Sequence, residues 1–71
     1  MKAKPDITLI EVIIYQRDVK EWHAISFDVS DPYSRVWLGE ATCETRYDAE
    51  QYARDMEDFY MCDLEVTDGR I

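Results

Sequence analysis

The chain has 71 residues, of which 46% are hydrophobic and 13% aromatic, and it carries a formal net charge of −8. This length fits a single domain over residues 1–71, whose small core leaves little room for a deep substrate pocket. The composition excludes intrinsic disorder, and no run approaches the ~20 apolar residues that a membrane-spanning helix needs. The acid surplus argues against direct binding to nucleic acid or anionic lipid, because like charges repel.

The amino terminus begins Met-Lys-Ala-Lys-Pro and lacks the apolar region and cleavage site of a secretion signal. We expect residues 1–6 to be flexible and the protein to be cytoplasmic. Cys43 and Cys62 flank opposite ends of a predicted helix of about 16 residues, or roughly 24 Å at ~1.5 Å per residue. A disulfide needs Cα atoms within ~7 Å, so we expect two reduced thiols.

The first predicted strand, Ile7–Gln16, is apolar on both faces. Ile10, Val12 and Ile14 alternate onto one face. The other face, interrupted by Glu11, carries Ile7, Leu9, Ile13 and Tyr15. An antiparallel strand with one wet face should alternate more cleanly. Either this strand is central and covered on both sides, or its second face meets a partner.

Two further strands are predicted before the helix, Glu21–Val29 and Arg35–Cys43. A turn separates them, in which Pro32 presets φ at the second position. Gly39 lies inside the third strand and predicts a bulge or a close backbone approach. Leu64 begins a short last strand that ends before residue 69.

The helix has the clearest pattern. Thr45, with Asp48 three residues later, resembles a capping box. Helical spacing then predicts a core-facing side made of Ala49, Tyr52, Ala53, Met56, Phe59 and Tyr60. We therefore predict an α+β fold of order β-β-β-α-β. It comprises a small antiparallel sheet of three to four strands with one helix packed on one face.

Negative charge is concentrated in residues 40–68, which hold ten acids against Arg46 and Arg54. The pairs Arg46–Glu50 and Arg54–Asp58 are spaced for ion pairing along the helix. Two arginines cannot neutralise ten carboxylates, and the surplus destabilises the fold by self-repulsion. We therefore predict a functional acidic surface, on which Asp48, Gln51, Asp55 and Asp58 form one helical stripe.

Aromatic residues are interleaved with these acids and are typical anchors of binding hot spots. Tyr33 and Trp37 are the best candidates for exposed contacts, whereas Tyr52 and Phe59 are expected in the core. The predicted partner-binding residues are Asp48, Gln51, Asp55, Glu57, Asp58, Glu44, Tyr33 and Trp37.

No constellation of residues indicates an enzyme. His23 is the only histidine, and on an apolar strand face it is expected to be packed and hydrogen-bonded. No nucleophile can be paired with it from the sequence. The cysteines lack zinc-site spacing, and two isolated glycines cannot form a phosphate-binding loop. We predict no catalytic residue, no metal site and no cofactor.

A short acidic chain with a small sheet and one acid-faced helix resembles phage-encoded inhibitors, such as some anti-CRISPR proteins. Several of these place carboxylates where a nucleic-acid phosphate would lie and so block a basic groove. A second resemblance, to a small phage inhibitor of bacterial RNA polymerase, rests on Glu44-Thr45, Ala49, Ala53 and Val66-Thr67. Both resemblances imply binding through Asp48, Asp55, Glu57 and Asp58.

The leading prediction is a non-catalytic inhibitor or adaptor, acting in the host cytoplasm if it is phage-encoded. It would dock an acidic, aromatic-studded surface on a basic, nucleic-acid-binding protein. The alternatives are an RNA polymerase inhibitor and a homo-oligomeric structural or adaptor protein, with a homodimer formed through the first strand. A deep pocket near His23 or Cys62 would instead favour an enzyme or small-ligand binder.

Overall fold

The computed structural model describes residues 7–69 and confirms the predicted order β-β-β-α-β. The expected flexibility of residues 1–6 lies outside this range. The elements are β1 (Leu9–Asp18), β2 (Glu21–Asp28), β3 (Val36–Cys43), α1 (Arg46–Tyr60) and β4 (Asp63–Asp68). Within residues 7–69, no helix is long and apolar enough to cross a membrane.

The four strands form one sheet in the order β3-β2-β1-β4. The first three strands are antiparallel neighbours, as predicted, whereas β4 pairs parallel to β1 and makes the sheet mixed. The parallel pairing follows from the connection: α1 carries the chain from β3 at one edge to β4 at the other. A helical crossover of this kind returns the chain in its original direction.

The core lies between α1 and one face of the sheet. In the centre of the sheet, β1 supplies three fully buried side chains and β2 supplies a small one, while α1 contributes two alanines that allow close approach of helix and sheet. The buried apolar residues are Ile10, Val12, Ile14, Ala24, Ala49 and Ala53. This core is small, so its stability margin is thin.

Gly39 is the site of both features predicted for it. The β2–β3 register shifts directly after Ser26, so that Leu38 is an extra residue and forms a bulge in β3. The backbone of Gly39 also approaches α1 closely, because a Cβ atom there would lie 3.4 Å from the Tyr52 hydroxyl. The buried Ser26 hydroxyl donates to the Gly39 carbonyl at 2.9 Å.

The helix begins as predicted, at an N-cap in which the Thr45 hydroxyl accepts a 3.1 Å hydrogen bond from the Asp48 amide. The prediction that Phe59 lies in the core is wrong: its side chain is 74% exposed. At 3.6 residues per turn, Phe59 lies about 100° around α1 from the line of Ala49 and Ala53. Tyr52, by contrast, is half-buried and packs against the core.

Candidate partner-binding site

One arginine neutralises part of the acid surplus. The Arg46 guanidinium pairs with Glu50 at 2.8 Å, as predicted, and also with Asp68 on β4. It therefore ties the start of α1 to the end of the neighbouring strand. The predicted pair between Arg54 and Asp58 is not formed, since no ion pair within 4.0 Å joins them in the described part of the chain. Most carboxylates of residues 40–68 remain solvated.

The stripe predicted on α1 is present, and we call Asp48, Gln51, Asp55 and Asp58 the acidic stripe. All four side chains are exposed. At 3.6 residues per turn they lie within about 80° of the helix circumference, on the side away from the sheet. Gln51 Nε2 is 3.5 Å from Asp55 Oδ1, the outer limit of a hydrogen bond. Within residues 7–69, none of the three carboxylates takes part in an ion pair.

Glu57 and Glu44 do not belong to the acidic stripe. Glu57 lies about 100° around the helix from its neighbour Asp58, on the flank of α1 that faces β4. There it lines an open groove together with Leu64 and other residues of α1 and β4. Glu44 is exposed and precedes the helix N-cap. The predicted set of acids therefore divides into a row on the helix and two outlying residues.

Tyr33 and Trp37 are exposed as predicted, by 96% and 58%, but Trp37 does not lie beside the acidic stripe. Trp37 pairs with Phe27, whose side chain points away from α1, opposite to that of the buried Ser26. Trp37 is therefore on the sheet face remote from the helix, and Tyr33 is in the loop before β3. The expectation of one acidic surface studded by both aromatics is wrong for Trp37, because the sheet separates it from the stripe.

Two other aromatic residues flank the acidic stripe. Tyr47 is 71% exposed and lies about 20° beyond Asp58 around the helix, while Phe59 lies about 20° beyond Asp48 on the other side. The Phe59 ring packs edge-on against Tyr60, with ring centroids 4.9 Å apart. Helical spacing placed Phe59 in the core because its position is compatible with the edge of the apolar face. The angle of about 100° between Phe59 and the line of Ala49 and Ala53 is the signal that indicates exposure.

A second, partly exposed surface lies on the opposite side of the molecule. We call it the open sheet face; its apolar and aromatic members are Leu9, Ile13, Tyr15, Ile25, Phe27 and Trp37. The helix lies on the other face, and nothing else in residues 7–69 forms a layer over this one. The first strand is thus central but covered on only one of its two apolar faces.

The polar groups within the open sheet face are paired internally. Glu11, in the middle of β1, is mostly buried and forms an ion pair with Arg35. It also accepts a 2.9 Å hydrogen bond from the Thr67 hydroxyl. The Arg35 guanidinium lies 4.7 Å from the centroid of the Phe27 ring, in a cation–π contact. Glu11 is consequently a neutralised group inside an apolar surface.

His23 is packed and hydrogen-bonded, as predicted. Its ring stacks on Tyr15 with centroids 5.3 Å apart, and Nε2 lies 2.8 Å from the Glu21 carboxylate. Among the described residues, no group of three His, Cys, Asp or Glu side chains is placed to hold a metal ion. The histidine therefore has a structural explanation in its own surroundings.

The two cysteines are free thiols. Burial raises the pKa of the Cys43 thiol, and the neighbouring Asp48 carboxylate raises it further. Burial likewise raises the pKa of Cys62, with Asp63, Glu57 and Asp28 adding to the effect. Both groups are held as neutral thiols at physiological pH, the opposite of what an activated nucleophile requires.

Comparison with known proteins adds no relative to this description. No protein-family model matches the chain, no curated protein is similar to it, and no solved structure resembles it at a significant level. Function is therefore inferred from the geometry and charge of the two surfaces.

Proposed function

We propose that this chain is a non-catalytic binding protein whose acidic stripe docks on the basic surface of a nucleic-acid-binding protein. The observation that carries the proposal is the row of three exposed carboxylates on α1, which have no ion-pair partner within residues 7–69. Such a row raises the energy of the isolated protein by self-repulsion. A partner that presents lysine or arginine side chains relieves this repulsion.

Charge and aromatic contacts have different roles in this proposal. Complementary charge mainly raises the association rate and selects the partner. Burial of aromatic rings at the centre of a contact supplies most of the affinity. Tyr47 and Phe59, which flank the acidic stripe, take the anchoring role in place of Trp37.

The finer form of the proposal is inhibition: the acidic stripe occupies a groove that otherwise holds nucleic acid. The charge sign, the small size of the domain and the resemblance to anti-CRISPR and other phage-encoded inhibitors support it. A target of this kind lies in the host cytoplasm and is a nucleic-acid-guided complex or, as the alternative, bacterial RNA polymerase. In both cases nucleic acid competes directly with the inhibitor.

The experiment is capture of bacterial lysate proteins on the immobilised chain. The chain is loaded at an effective concentration below ~1 μM, and duplex DNA or RNA is added as competitor. We expect basic nucleic-acid-binding proteins to be retained, and to be released by the competitor and by salt above ~0.5 M. The double substitution Asp55→Lys with Asp58→Lys should abolish the retention while leaving the far-ultraviolet circular dichroism unchanged.

The matched control is Glu40→Lys with Glu65→Lys, which changes the net charge by the same amount. Both of these carboxylates are exposed and lie on β3 and β4 rather than on the helix. We expect the control to retain most of the captured protein. Equal loss with both double variants would show that only total charge matters, and unchanged capture by the helix variant would refute the proposal.

A further inference from the structure

The open sheet face is an apolar surface over which no other element of residues 7–69 packs. It spans the two central strands, where Ile13 and Ile25 pair directly with each other. A contiguous apolar patch on a small protein marks an interaction site.

The charges on the open sheet face fit an apolar partner better than a basic one. The carboxylates nearest the centre are already satisfied, Glu11 by Arg35 and Glu21 by His23. A basic partner would find unpaired carboxylates only around the edge of this face. The remaining acids of this face, on the edge strands, are Glu40, Asp63 and Glu65, which all stay in contact with water.

We propose that two copies of this chain pack through their open sheet faces as a two-fold symmetric dimer. Because the sheet order is β3-β2-β1-β4, a two-fold axis along the boundary between β1 and β2 superposes the two sheets. It places β2 of one copy over β1 of the other, so that Ile25 faces Ile13 across the interface. Sheets that pack face to face in this way lie about 10 Å apart and cross at roughly 30°.

The same axis brings complementary edges together. The β3 edge of one copy lies over the β4 edge of the other. Arg35 directly precedes β3, and β4 carries Asp63 and Glu65. In the register of the sheet, Glu40 and Thr67 occupy the same row, so the axis sets Glu40 opposite the neutral Thr67 hydroxyl. Opposite charges thus meet where Arg35 approaches the β4 edge. Glu21 and Asp18 share a row at the far end of β1 and β2, so the axis sets these two carboxylates opposite each other, and Glu21 is already hydrogen-bonded to His23.

The size of the face indicates how strongly two copies can associate. Four strands about 4.8 Å apart, over the six residue steps from Leu9 to Tyr15, give roughly 400 Å² of flat area per copy. Because protruding side chains enlarge this area, two copies together bury on the order of 1,000 Å² of accessible surface, the lower end for a specific interface. An interface of this size between two acidic chains is typical of weak, transient association, so we expect dimerisation only at micromolar or higher protein concentration.

Salt separates this dimer from the docking proposed for the acidic stripe. Each copy carries a net charge of −8, so the two copies repel each other at long range. Added salt screens this repulsion and should strengthen the dimer, whereas it should weaken binding of the stripe to a basic protein. The two interactions therefore respond to salt in opposite directions, and either can fail without the other.

The test is sedimentation equilibrium of the full chain from ~2 μM to ~1 mM, in low and moderate sodium chloride. We expect the apparent mass to rise from 8.4 kDa toward twice that value, and to do so at lower protein concentration when salt is added. A chain that stays monomeric at ~1 mM, or a dimer that salt dissociates, overturns the proposal.

The variant Ile25→Lys should raise the dissociation constant at least tenfold, although it lowers the repulsion between copies. The matched control is Val19→Lys, the same change of a β-branched residue at a position 80% exposed in the turn after β1, which should dimerise like the parent. Equal dimerisation of both variants overturns the proposal. If Ile25→Lys does not fold, a mixed-label nuclear Overhauser measurement on the parent decides, through contacts between Ile25 and Ile13 methyl groups of different copies.

Discussion

At the scale of single residues, the most constrained polar group is the hydroxyl of Ser26. It is fully buried in the apolar interface between sheet and helix, where it donates to the Gly39 carbonyl at 2.9 Å and lies 3.0 Å from the Tyr52 hydroxyl. Every buried side-chain nitrogen and oxygen atom in residues 7–69 has a hydrogen-bond partner. The network thus joins β2, β3 and α1 at the bulge.

Replacing Ser26 by Ala should destabilise the protein by about 1–3 kcal/mol, because it leaves the Gly39 carbonyl without its side-chain donor and the Tyr52 hydroxyl without a partner. Urea unfolding followed by circular dichroism measures the change. The control Tyr52→Phe keeps the bond to Gly39 and should cost about 1 kcal/mol or less. A Ser26→Ala variant as stable as the parent would show that the network adds nothing.

The cysteine thiols give a second residue-scale prediction. Because burial raises the pKa of Cys43 and of Cys62, alkylation by iodoacetamide at pH 8 should be several-fold slower in the folded protein than in denaturant. A raised pKa in the folded state stabilises the fold below the unfolded value of 9.0 and loses that contribution as pH rises through the folded value. Stability should therefore fall above about pH 9.

The control for this prediction is the double substitution Cys43→Ser with Cys62→Ser, which should flatten the decline between about pH 9 and pH 10. Mass spectrometry follows the alkylation, and thermal unfolding follows the stability. Equal alkylation rates in the folded and unfolded states would contradict the assigned surroundings of the thiols.

At the scale of elements, the fold was predictable because local signals agree with one another. Alternating apolar residues marked the strands, and Thr45 marked the start of α1. The parallel pairing of β4 was less accessible, since it depends on which edge the chain reaches after the helix. Phe59 shows a further limit of sequence-based prediction. Helical spacing identifies the apolar face of α1, but which residues at its edge are buried depends on how closely the helix packs on the sheet.

The end of α1 carries strain that the sequence does not reveal. Met61 adopts a left-handed conformation with φ 54° and ψ 51°, while its amide donates to the Glu57 carbonyl at 2.8 Å. This conformation costs a non-glycine residue roughly 1–2 kcal/mol. The side chain is 88% exposed and packs little, so it offers scant compensation.

Met61→Gly should therefore stabilise the protein by about 0.5–1 kcal/mol, since relief of strain exceeds the entropy that glycine adds to the unfolded chain. Met61→Ala is the control: it removes the same exposed side chain but keeps the Cβ atom, and should leave stability nearly unchanged. Chemical denaturation compares the two. A glycine variant no more stable than the alanine variant would argue against strain at this cap.

At the scale of the whole molecule, one backbone irregularity decides which residues share a surface. Gly39 and the alternate residues after it in β3 face the helix, and strict alternation would place Trp37 there as well. The extra residue Leu38 shifts the register and places Trp37 opposite Phe27, on the open sheet face. A glycine inside a strand predicts a bulge but not its register. The acidic stripe was therefore predictable from helical spacing, whereas its separation from Trp37 was not.

The charge imbalance of the molecule gives a last prediction. Most acids of residues 40–68 are solvated, and the chain carries −8 overall, so repulsion should limit stability at low ionic strength. Raising sodium chloride from ~0.01 to ~0.5 M should increase the melting temperature by several degrees at ~0.5 μM protein, where self-association is minor. A gain of about 1 kcal/mol corresponds to roughly 4–8 °C in a domain of this size.

The surface ion pairs of Arg46 act in the opposite sense, because salt weakens them, but exposed pairs contribute only about 0.2–1 kcal/mol. The repulsive effect should therefore prevail. Reversing two charges of the acidic stripe, with Asp55→Lys and Asp58→Lys, should raise the melting temperature at low salt and reduce its dependence on salt. A melting temperature that falls with salt in the parent would mean that attractive ion pairs outweigh the repulsion. Relief of repulsion would then no longer favour binding of the acidic stripe to a basic partner.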